Sequence, residues 1–274
     1  MELVSVVIPC YNSGATIEKT IDSIKKQLHG NIEIVVVDDG SDCKVTKELL
    51  DSLSGIRLIR QKNKGLAAAR NAGISKSKGE LILPLDADDW IDSAMVGRLA
   101  ESLQGDSYFY SYCDTILEGE RSGLLSREYN FFEQLFLNQL PYCLLFRKNL
   151  WEIVGGYDES MNHGYEDWEF NIKLGKAGYF PKHVSQPMFH YRVSKNGMLI
   201  SKSNLIHGDI WKSIQKKHFE LYSIMTIFRT WNDWKNKPSA HNLLLYFLLF
   251  LLHKTLPKKT FSILFRVMRG RNKR

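Results

Sequence analysis

Residues 81–90 read Leu-Ile-Leu-Pro-Leu-Asp-Ala-Asp-Asp-Trp, a short apolar run that ends in three carboxylates. Such a run is typical of a strand inside a sheet, and open α/β sheets bind ligands at the carboxyl ends of their strands. Because Asp86 and Asp88 are two positions apart, one carboxylate can face a divalent metal while the other faces a ligand. Magnesium prefers such oxygen ligands, completed by substrate phosphates and water. The same pattern also occurs in solvated acidic turns, so its meaning depends on the residues before it.

The composition bounds the class of protein. The chain has 274 residues, of which 44% are hydrophobic, and this is enough for one large globular domain with or without an appendage. Its four cysteines, at positions 10, 43, 113 and 143, fit neither a paired metal motif nor a dense disulfide framework. The N-terminal residues contain neither a basic leader nor a small-residue cleavage site. These features predict a reduced, cytoplasmic protein.

The positive charge is concentrated in the last part of the chain. The formal net charge is +7, from 37 Lys or Arg and 30 Asp or Glu. After Trp234 the sequence contains ten Lys or Arg and no Asp or Glu, so the residues before that point carry 27 basic and 30 acidic side chains. This distribution argues against a groove for nucleic acid, and it predicts an anionic surface as the partner of the tail.

The first half of the sequence alternates between the periodicities of strands and helices. Strands are predicted at residues 3–9, 32–37, 56–59 and 80–85, and helices at residues 16–28, 45–53 and 66–75. Alternating elements of these lengths form βαβ units. The sequence therefore predicts a parallel sheet whose ligand-binding loops lie together at one edge.

Three of these loops carry side chains suited to nucleotide binding. Residues 9–12, Pro-Cys-Tyr-Asn, offer an aromatic face on which a base can stack, and residues 38–41, Asp-Asp-Gly-Ser, offer a carboxylate that can accept an N–H from a base edge. In the segment 63–73, Arg70 has a rigid guanidinium that can bind a phosphate or a base. Each feature alone is equally compatible with an ordinary turn, an N-cap or a surface arginine.

In order and spacing, four motifs together resemble those of the large family 2 of inverting glycosyltransferases, which have the GT-A fold. The motifs are Pro9-Cys10-Tyr11-Asn12, Val36-Val37-Asp38-Asp39-Gly40-Ser41, Gly65 with Ala69-Arg70-Asn71-Ala72-Gly73, and Gly79-Glu80 leading to Leu85-Asp86-Ala87-Asp88-Asp89. The resemblance covers about residues 1–195. It implies an α/β fold with a mostly parallel central sheet flanked by helices, a nucleotide-sugar donor, usually a UDP-sugar, and a divalent metal, Mn²⁺ or Mg²⁺.

The resemblance also implies donor-binding roles by matching position. It implies that the nucleobase is held by Pro9, Tyr11 and Asp39. It further implies that Arg70 lies beside the nucleotide and that the metal motif consists of Asp86, nearer the ribose, and Asp88, the metal ligand.

A second acidic motif supplies a candidate catalytic base. The segment Gly164-Tyr165-Glu166-Asp167-Trp168-Glu169-Phe170 leads into a predicted helix. Carboxylates in a first helical turn are stabilised by the helix dipole, which is the ordinary explanation for them. The pair nevertheless resembles the acceptor-side motif of the family, which implies that Asp167 acts as general base. Glu166 is the alternative base or an acceptor ligand.

A third candidate lies in the aromatic and basic run Phe189-His190-Tyr191-Arg192-Val193, whose alternation predicts a strand. His190 is a candidate metal ligand because a neutral imidazole commonly binds metals, although a lone His is more often structural. The sequence departs from the family pattern directly after this strand. The usual His-x-x-Ser continuation is replaced by Lys195-Asn196-Gly197-Met198, which leaves loop closure and the diphosphate contacts open.

The C-terminal residues predict a helical extension. A helical stretch at 204–234 precedes a ten-residue apolar run at 243–252, which is shorter than the roughly 20 residues that a spanning helix needs. Residues 261–273 place apolar side chains on one helical face and basic side chains on the other, which predicts a helix lying in the plane of a membrane. A dimerisation helix and a cap on the catalytic core are the alternatives.

These features predict two domains and one activity. Residues 1–203 form a GT-A domain, with a nucleotide-sugar half (1–105) and an acceptor half (106–203), and residues 204–274 form a membrane-associating extension. The predicted function is an inverting, metal-dependent transfer of a hexosyl or N-acetylhexosaminyl group to a hydroxyl of a lipid-linked or polysaccharide acceptor in envelope glycan synthesis. The predicted place is the cytoplasmic face of the cell membrane, with a homodimer possible.

Two other functions are compatible with a nucleotide-binding α/β sheet. A nucleotidyltransferase would require a glycine-rich loop after the first strand, where this chain has Pro-Cys-Tyr-Asn. A non-catalytic binding module would be expected to lack an acidic site residue, but both Asp88 and Asp167 are present. A dinucleotide-binding fold is excluded because no Gly-x-Gly-x-x-Gly follows the first strand.

Overall fold

The computed structural model describes residues 1–105, 109–161, 164–194, 203–239 and 242–255. The chain divides into two compact units, which comprise residues 1–127 with 140–204 and residues 128–139 with 205–274. The segment 128–139, which the sequence assigns to the acceptor half, thus groups with the second unit. The reason is aromatic packing: the ring of Phe136, for example, lies 6.0 Å from that of Trp211.

The first unit is built on a sheet of nine strands among the described residues. They are β1 (Val4–Cys10), β2 (Ile32–Asp39), β3 (Arg57–Gln61), β4 (Leu81–Pro84), β5 (Trp90–Ile91), β6 (Tyr110–Gly119), β7 (Gly123–Leu125), β8 (Leu145–Arg147) and β9 (Lys182–Val193). Their order across the sheet is β3-β2-β1-β4-β8-β6-β9-β5, and β7 pairs with β6.

The strand pairing explains where the acidic stretch lies. β1 pairs in parallel with β2 and with β4, and β2 pairs in parallel with β3. The loops after β1, β2 and β4 therefore leave the sheet at the same edge. β8 runs antiparallel between β4 and β6, whereas the long pair of β6 and β9 is parallel. The predicted α/β fold with a mostly parallel central sheet is confirmed.

Seven helices of the first 200 residues connect these strands in the described part of the chain. They are α1 (Ile17–Lys25), α2 (Lys44–Ser52), α3 (Leu66–Lys76), α4 (Met95–Ser102), α5 (Phe131–Gln134), α6 (Lys148–Val154) and α7 (Glu166–Lys176). α3 lies close against the sheet because its residues are small. A Cβ added at Gly73 would collide with the side chain of Val7 on β1 and lie 3.0 Å from that of Val37 on β2.

The C-terminal part contains three further described helices, α8 (Ser203–Lys217), α9 (Ile224–Trp234) and α10 (Leu243–Thr255). The single helical stretch predicted at 204–234 is therefore wrong in one respect, since the chain breaks between α8 and α9. Ser223 starts the new helix, because its side chain accepts a hydrogen bond from the backbone N–H of Thr226. In the described part of the chain, no helix is long and apolar enough to cross a membrane. The predicted amphipathic helix at 261–273 lies outside the described residues.

Candidate active site

The loop after β1 is tied to the loop after β2 by Asn12. Its side-chain oxygen accepts hydrogen bonds from the backbone N–H groups of Asp42 and Cys43, which immediately precede α2. Asn12 has a positive φ of 54°, a conformation that asparagine tolerates better than most residues. Beside it, Pro9 is buried in β1 and the side chain of Tyr11 is 49% exposed. The loop thus presents the aromatic ring expected for base stacking, on a hydrogen-bonded frame.

Asp39, at the end of β2, is buried and accepts three hydrogen bonds from the chain itself. Oδ1 accepts from the side-chain amide of Gln61 at 2.8 Å and from the backbone N–H of Lys64 at 2.9 Å, and Oδ2 accepts from the backbone N–H of Gly65 at 2.8 Å. The carboxylate therefore fixes the loop that leads into α3. Its predicted contact with a nucleobase stays a prediction.

Arg70 forms a bridge between the acidic stretch and the second acidic motif. Its side chain is only 1% exposed. Nη2 lies 2.7 Å from Asp86 Oδ1, and Nη1 lies 2.5 Å from Glu166 Oε1. The rings of Tyr142 and Tyr157 lie 4.8 and 5.6 Å from the guanidinium carbon, a distance at which they stabilise a cation. The bridge brings together three residues that the sequence predicts separately as donor and acceptor groups.

The carboxylates of the acidic stretch are crowded. Burial, and after it the negative charge of Asp86, raises the pKa of Asp88 to about 6. Burial together with the charges of Asp86 and Asp88 raises the pKa of Asp89 well above its usual range. A bound cation would favour the ionised forms of these groups. The arrangement therefore has the electrostatic character of a cation site.

Glu166 and Asp167 begin α7 directly after Tyr165, which has a positive φ of 65°. Glu166 is buried, and burial raises the pKa of its carboxyl although Arg70 acts in the opposite direction. Asp167 is half-buried, and its charge also raises the pKa of Glu166. The two carboxylates thus differ in environment, since Glu166 is paired with a buried cation and its neighbour is closer to solvent.

Asp89 and Tyr142, for which the sequence predicts no role, hold the acidic turn in place. The Tyr142 hydroxyl donates to Asp89 Oδ2 and accepts from the backbone N–H of Asp86 at 3.0 Å. Asp89 Oδ1 accepts from the backbone N–H of Arg192 at 2.7 Å, which joins the turn to β9. The third carboxylate after β4 was a visible signal, but nothing in the sequence around Tyr142 indicates its partner.

Asn71 is a second residue whose role the sequence did not indicate. Its side-chain oxygen accepts from Trp151 Nε1 and from the backbone N–H of Tyr157, both at 2.9 Å. Its side-chain nitrogen donates to the carbonyl oxygen of Tyr157 at 2.8 Å. Asn71 follows Arg70 on α3, so one turn of helix positions both the guanidinium and the chain segment that precedes α7.

His190 is surrounded by carboxylates. Nδ1 lies 2.6 Å from Glu118 Oε1 and Nε2 lies 3.0 Å from Asp92 Oδ1, while the ring stacks on Trp90 with centroids 5.3 Å apart. Each ring nitrogen thus lies at hydrogen-bonding distance from a carboxylate oxygen, and a metal at either nitrogen would have to replace one of these contacts. The predicted metal ligation by His190 requires one of these bonds to break, and it stays a prediction.

The residues around Asp88 fit a metal that is shared with a substrate. Within the described ranges, no group of three or more His, Cys, Asp or Glu side chains is placed to hold a metal on its own. Mg²⁺ commonly takes only one or two carboxylates and completes its shell with phosphates and water. Asp86 and Asp88 supply such a pair, and their mutual repulsion is what a cation would relieve. A cavity of about 310 Å³ adjoins Asp88, and its lining also includes Thr16, Lys19, Trp90 and Arg192.

Comparison with known proteins gives three consistent results. The family model "Glycosyl transferase family 2" matches residues 5–158. Glycosyltransferase GlyG of Streptococcus pneumoniae is 33% identical over 216 residues, which are 75% of this chain and 64% of GlyG. The chondroitin synthase of Escherichia coli is 28% identical over 223 residues, which are 78% of this chain and 32% of that protein. The chain thus spans less than two thirds of the length of either relative.

Among the solved structures that resemble this one are two complexes with nucleotide-sugars. S. aureus TarS residues 1–349 in complex with UDP-GlcNAc superposes with a TM-score of 0.61 at 18% identity, covering 92% of this chain and 73% of that one. A mannosyltransferase from Pyrobaculum calidifontis in complex with GDP-Man and Mn²⁺ gives a TM-score of 0.55 at 19% identity, covering 72% of this chain and 59% of that one. At these identities the likeness establishes the fold, and the predicted GT-A architecture is confirmed.

Proposed function

The chain belongs to glycosyl transferase family 2, and on this premise we propose that it transfers a sugar from a nucleotide-sugar to an acceptor hydroxyl with inversion at the anomeric carbon. The observation that carries the proposal is the Arg70 bridge. It joins Asp86, at the end of the strand that faces the predicted donor, to Glu166, in the motif predicted to face the acceptor. The predicted donor side and the predicted acceptor side thus share one buried guanidinium.

On the donor side, the proposal uses the loops after β1 and β2. The exposed ring of Tyr11 would stack on the nucleobase, with Pro9 and Asp39 beside it and Arg70 near the nucleotide. Support comes from the two structural neighbours, because TarS was solved with UDP-GlcNAc and the mannosyltransferase with GDP-Man. A UDP-sugar is the donor that we propose here.

On the acceptor side, Asp167 would take the proton from the attacking hydroxyl. The oxygen then attacks the anomeric carbon on the face opposite the departing diphosphate, which inverts the configuration. Proton removal by a placed carboxylate typically contributes about 100- to 10,000-fold. Glu166, held by Arg70, would position this turn of α7 or contact the acceptor.

Mn²⁺ or Mg²⁺ would be held by Asp88, next to Asp86 and the donor phosphates. When bound, such an ion supplies Lewis-acid stabilisation of the charge that develops on the leaving diphosphate. Arg192, which lines the same cavity as Asp88, would lie on the phosphate side of this site.

The proposed acceptor is a lipid-linked or polysaccharide chain of the cell envelope. The names of some relatives, such as the chondroitin synthase, support a polysaccharide product. The basic C-terminal residues would hold the enzyme on the cytoplasmic face of the cell membrane, and a homodimer through the same residues is the alternative.

The test is a donor screen followed by product analysis. The purified chain is incubated with UDP-GlcNAc, other UDP-sugars and GDP-Man, each with Mn²⁺, with Mg²⁺ or with EDTA, and release of the nucleoside diphosphate is measured. We expect metal-dependent hydrolysis of at least one UDP-sugar, and an inverted anomeric configuration by NMR once an acceptor is supplied. A retained configuration would rule out the proposed mechanism, and hydrolysis of GDP-Man alone would rule out the proposed donor.

A further inference from the structure

Exposed apolar side chains are concentrated on the C-terminal helices. Of the fourteen large apolar residues that are exposed in the described part of the chain, eight lie between Phe219 and Leu252. The remaining six lie at positions 1, 11, 28, 45, 124 and 153. Single exposed apolar residues are ordinary, whereas a cluster on neighbouring helices indicates an interaction surface.

α10 shows why this cluster needs a partner. Leu243, Tyr246 and Phe250 form its buried face, and the latter two pack on the ring of Phe136 with centroids 5.6 and 6.2 Å away. The opposite face carries an exposed apolar stripe at four-residue spacing, formed by Leu244, Leu248 and Leu252. A helix that is apolar all round is normally covered on every side, either by protein or by lipid.

α9 extends this surface. Its residues Ile224, Met225 and Phe228 are exposed. The two helices meet through aromatic rings, because Phe247 lies 5.5 Å from Trp231 and 6.2 Å from Phe228. The exposed faces are therefore contiguous at Phe228. We call the surface formed by Ile224, Met225, Phe228, Leu244, Leu248 and Leu252 the α9–α10 face.

The charge next to this face identifies its occupant. Lys235 and Lys237 are exposed directly after α9, and the ten basic residues after Trp234 are accompanied by no acidic residue through position 274. Each basic residue near an anionic lipid surface favours binding. A second copy of the chain would bring an equally basic segment to the same face, and the like charges would repel. Apolar side chains beside unbalanced positive charge therefore favour an anionic membrane over a symmetric dimer.

The length of α10 decides how it would meet the membrane. Its 13 residues extend about 20 Å at 1.5 Å per residue, whereas the hydrocarbon core of a bilayer is about 30 Å thick. The helix is therefore suited to lie in the interface plane, with one apolar face in lipid and the other on its own unit.

We propose that the α9–α10 face enters the boundary between headgroups and acyl chains of an anionic membrane leaflet, while the exposed Lys235 and Lys237 contact the headgroups. This inference rests on the membrane partner in the proposed function and assigns it to side chains. It includes α9 in the membrane-binding surface. It also divides the binding into an apolar contribution from this face and an electrostatic contribution from the basic residues.

The experiment compares the full chain with two variants in vesicle sedimentation. The test variant is Met225→Gln/Leu244→Gln/Leu248→Gln, in which three exposed helical positions become polar but remain good helix formers. The matched control is Leu124→Gln/Ile153→Gln, in which residues that are 59% and 57% exposed lie on the first unit. The vesicles are phosphatidylcholine, alone or with one quarter phosphatidylglycerol, at low and high salt.

We expect the full chain and the control variant to sediment with the anionic vesicles, and to keep a salt-resistant part of the binding because screening removes only the electrostatic part. The test variant should lose that part and bind about 1,000-fold more weakly, because each of the three apolar side chains that leaves water contributes roughly tenfold. Equal sedimentation of the test variant and the full chain would overturn the proposal. So would a dimer in sedimentation velocity that becomes a monomer in the test variant while the full chain ignores vesicles.

Two further measurements keep the result interpretable. UDP-sugar hydrolysis without vesicles should be the same in all three proteins, so its absence throughout would count against the proposed transferase and not against the membrane surface. A Leu248→Trp variant reports insertion directly. The emission of the introduced tryptophan should shift to shorter wavelengths with anionic vesicles. An unshifted spectrum would overturn the proposal even if the triple variant failed to fold.

Discussion

The loops at the ends of β1 and β2 differ sharply from the acidic region at the end of β4, although all three strands are neighbours in one sheet. In the first region, polar side chains are paired within the chain, as shown by Asn12 and by the three hydrogen bonds to Asp39. In the second region, burial and the charge of Asp86 raise the pKa of Asp88, and burial with the charges of Asp86 and Asp88 raises the pKa of Asp89. We call the loops after β1 and β2 the frame, because hydrogen bonds within the chain already hold their polar side chains. The carboxylates of the acidic region repel one another, and a bound cation would reduce this repulsion.

This difference suits the two parts of a nucleotide-sugar. A base is a neutral, flat group that needs a preformed surface, and rigid loops avoid the entropic cost of ordering on binding. A diphosphate brings negative charge, so it needs a cation and cannot bind carboxylates directly. Two neighbouring carboxylates repel each other when no cation is bound, and they become favourable ligands once the ion is present.

The largest expected effect comes from removing one charge of the acidic region. Asp88→Asn should reduce transfer to background and abolish the metal dependence of UDP binding, because hard cations need the ionised oxygen. The exposed Asp22→Asn on α1 removes one charge elsewhere and should leave both unchanged. UDP titrations with and without Mn²⁺, together with transfer rates, measure this. Wild-type activity in Asp88→Asn would show that the metal assignment is wrong.

The same variant should also change how stability depends on pH in the absence of metal. The folded-state pKa of Asp88 is raised to about 6, so between about pH 4 and 6 the folded chain binds more protons than the unfolded chain. Stability from this group is full below that window and falls as the pH rises through it. Asp88→Asn does not undergo this loss. Between pH 5 and pH 8, its free energy of unfolding in urea should rise relative to that of wild type by on the order of 1 to 3 kcal/mol. If the difference in free energy of unfolding between Asp88→Asn and wild type did not change with pH, the proposed repulsion between Asp88 and its neighbouring carboxylates would be wrong.

The next effect in size concerns the proposed base. Asp167→Asn should lower turnover by about 100- to 10,000-fold with little change in UDP-sugar affinity, because the group acts on a proton of the acceptor in the transition state. Glu166→Gln is the comparison variant. It should affect turnover less and stability more, because Arg70 loses a buried partner. A larger loss of turnover in Glu166→Gln than in Asp167→Asn would identify Glu166 as the base.

The frame was easier to predict from the sequence than the acidic region. Buried apolar runs in β1, β2 and β4, alternating with helical periodicity, were enough to predict parallel strands and a shared edge for their loops. The positions of Asp39, Asp86 and Asp88 at strand ends follow from that pattern alone. The family motifs then predicted which of these loops bind the donor.

The partners of the acidic residues could not be predicted, because they depend on long-range packing. Glu166 Oε1 meets Arg70 across 96 residues, and the Tyr142 hydroxyl meets Asp89 across 53 residues. Periodicity gives the face of an element but not the side chain that will lie opposite. The break between α8 and α9 was missed for a different reason, since Ser223 is a cap only if the helix begins there.

A third experiment breaks the link between the two acidic motifs. Arg70→Met should lower the free energy of unfolding by about 3 to 5 kcal/mol, because removing one partner of a buried pair leaves Asp86 and Glu166 uncompensated. Arg98→Met is the matched control, since its pair with Glu101 is exposed and should contribute about 0 to 1 kcal/mol. Urea unfolding compares them. Equal losses would mean that the bridge does not hold the region together.

The smallest effect tests whether the frame is independent of the acidic region. Asn12→Gly keeps a backbone that can adopt the positive φ, so it isolates the lost side-chain hydrogen bonds to Asp42 and Cys43. It should cost about 1 kcal/mol, as the loss of a helix cap does. Asn12→Ala should cost about 1 kcal/mol more, because it adds backbone strain.

Both variants should weaken metal-free UDP binding by a similar modest factor, since Tyr11 adjoins the loosened loop, and both should leave the gain in UDP affinity on adding Mn²⁺ unchanged. UDP titrations in the presence and absence of Mn²⁺ measure the two quantities separately. If Asn12→Gly instead removed the Mn²⁺ effect as completely as Asp88→Asn, the frame would not be independent. The loops after β1 and β2 would then set the geometry of the cation site. These loops and the carboxylates after β4 would have to be described as one coupled site instead of two independent regions.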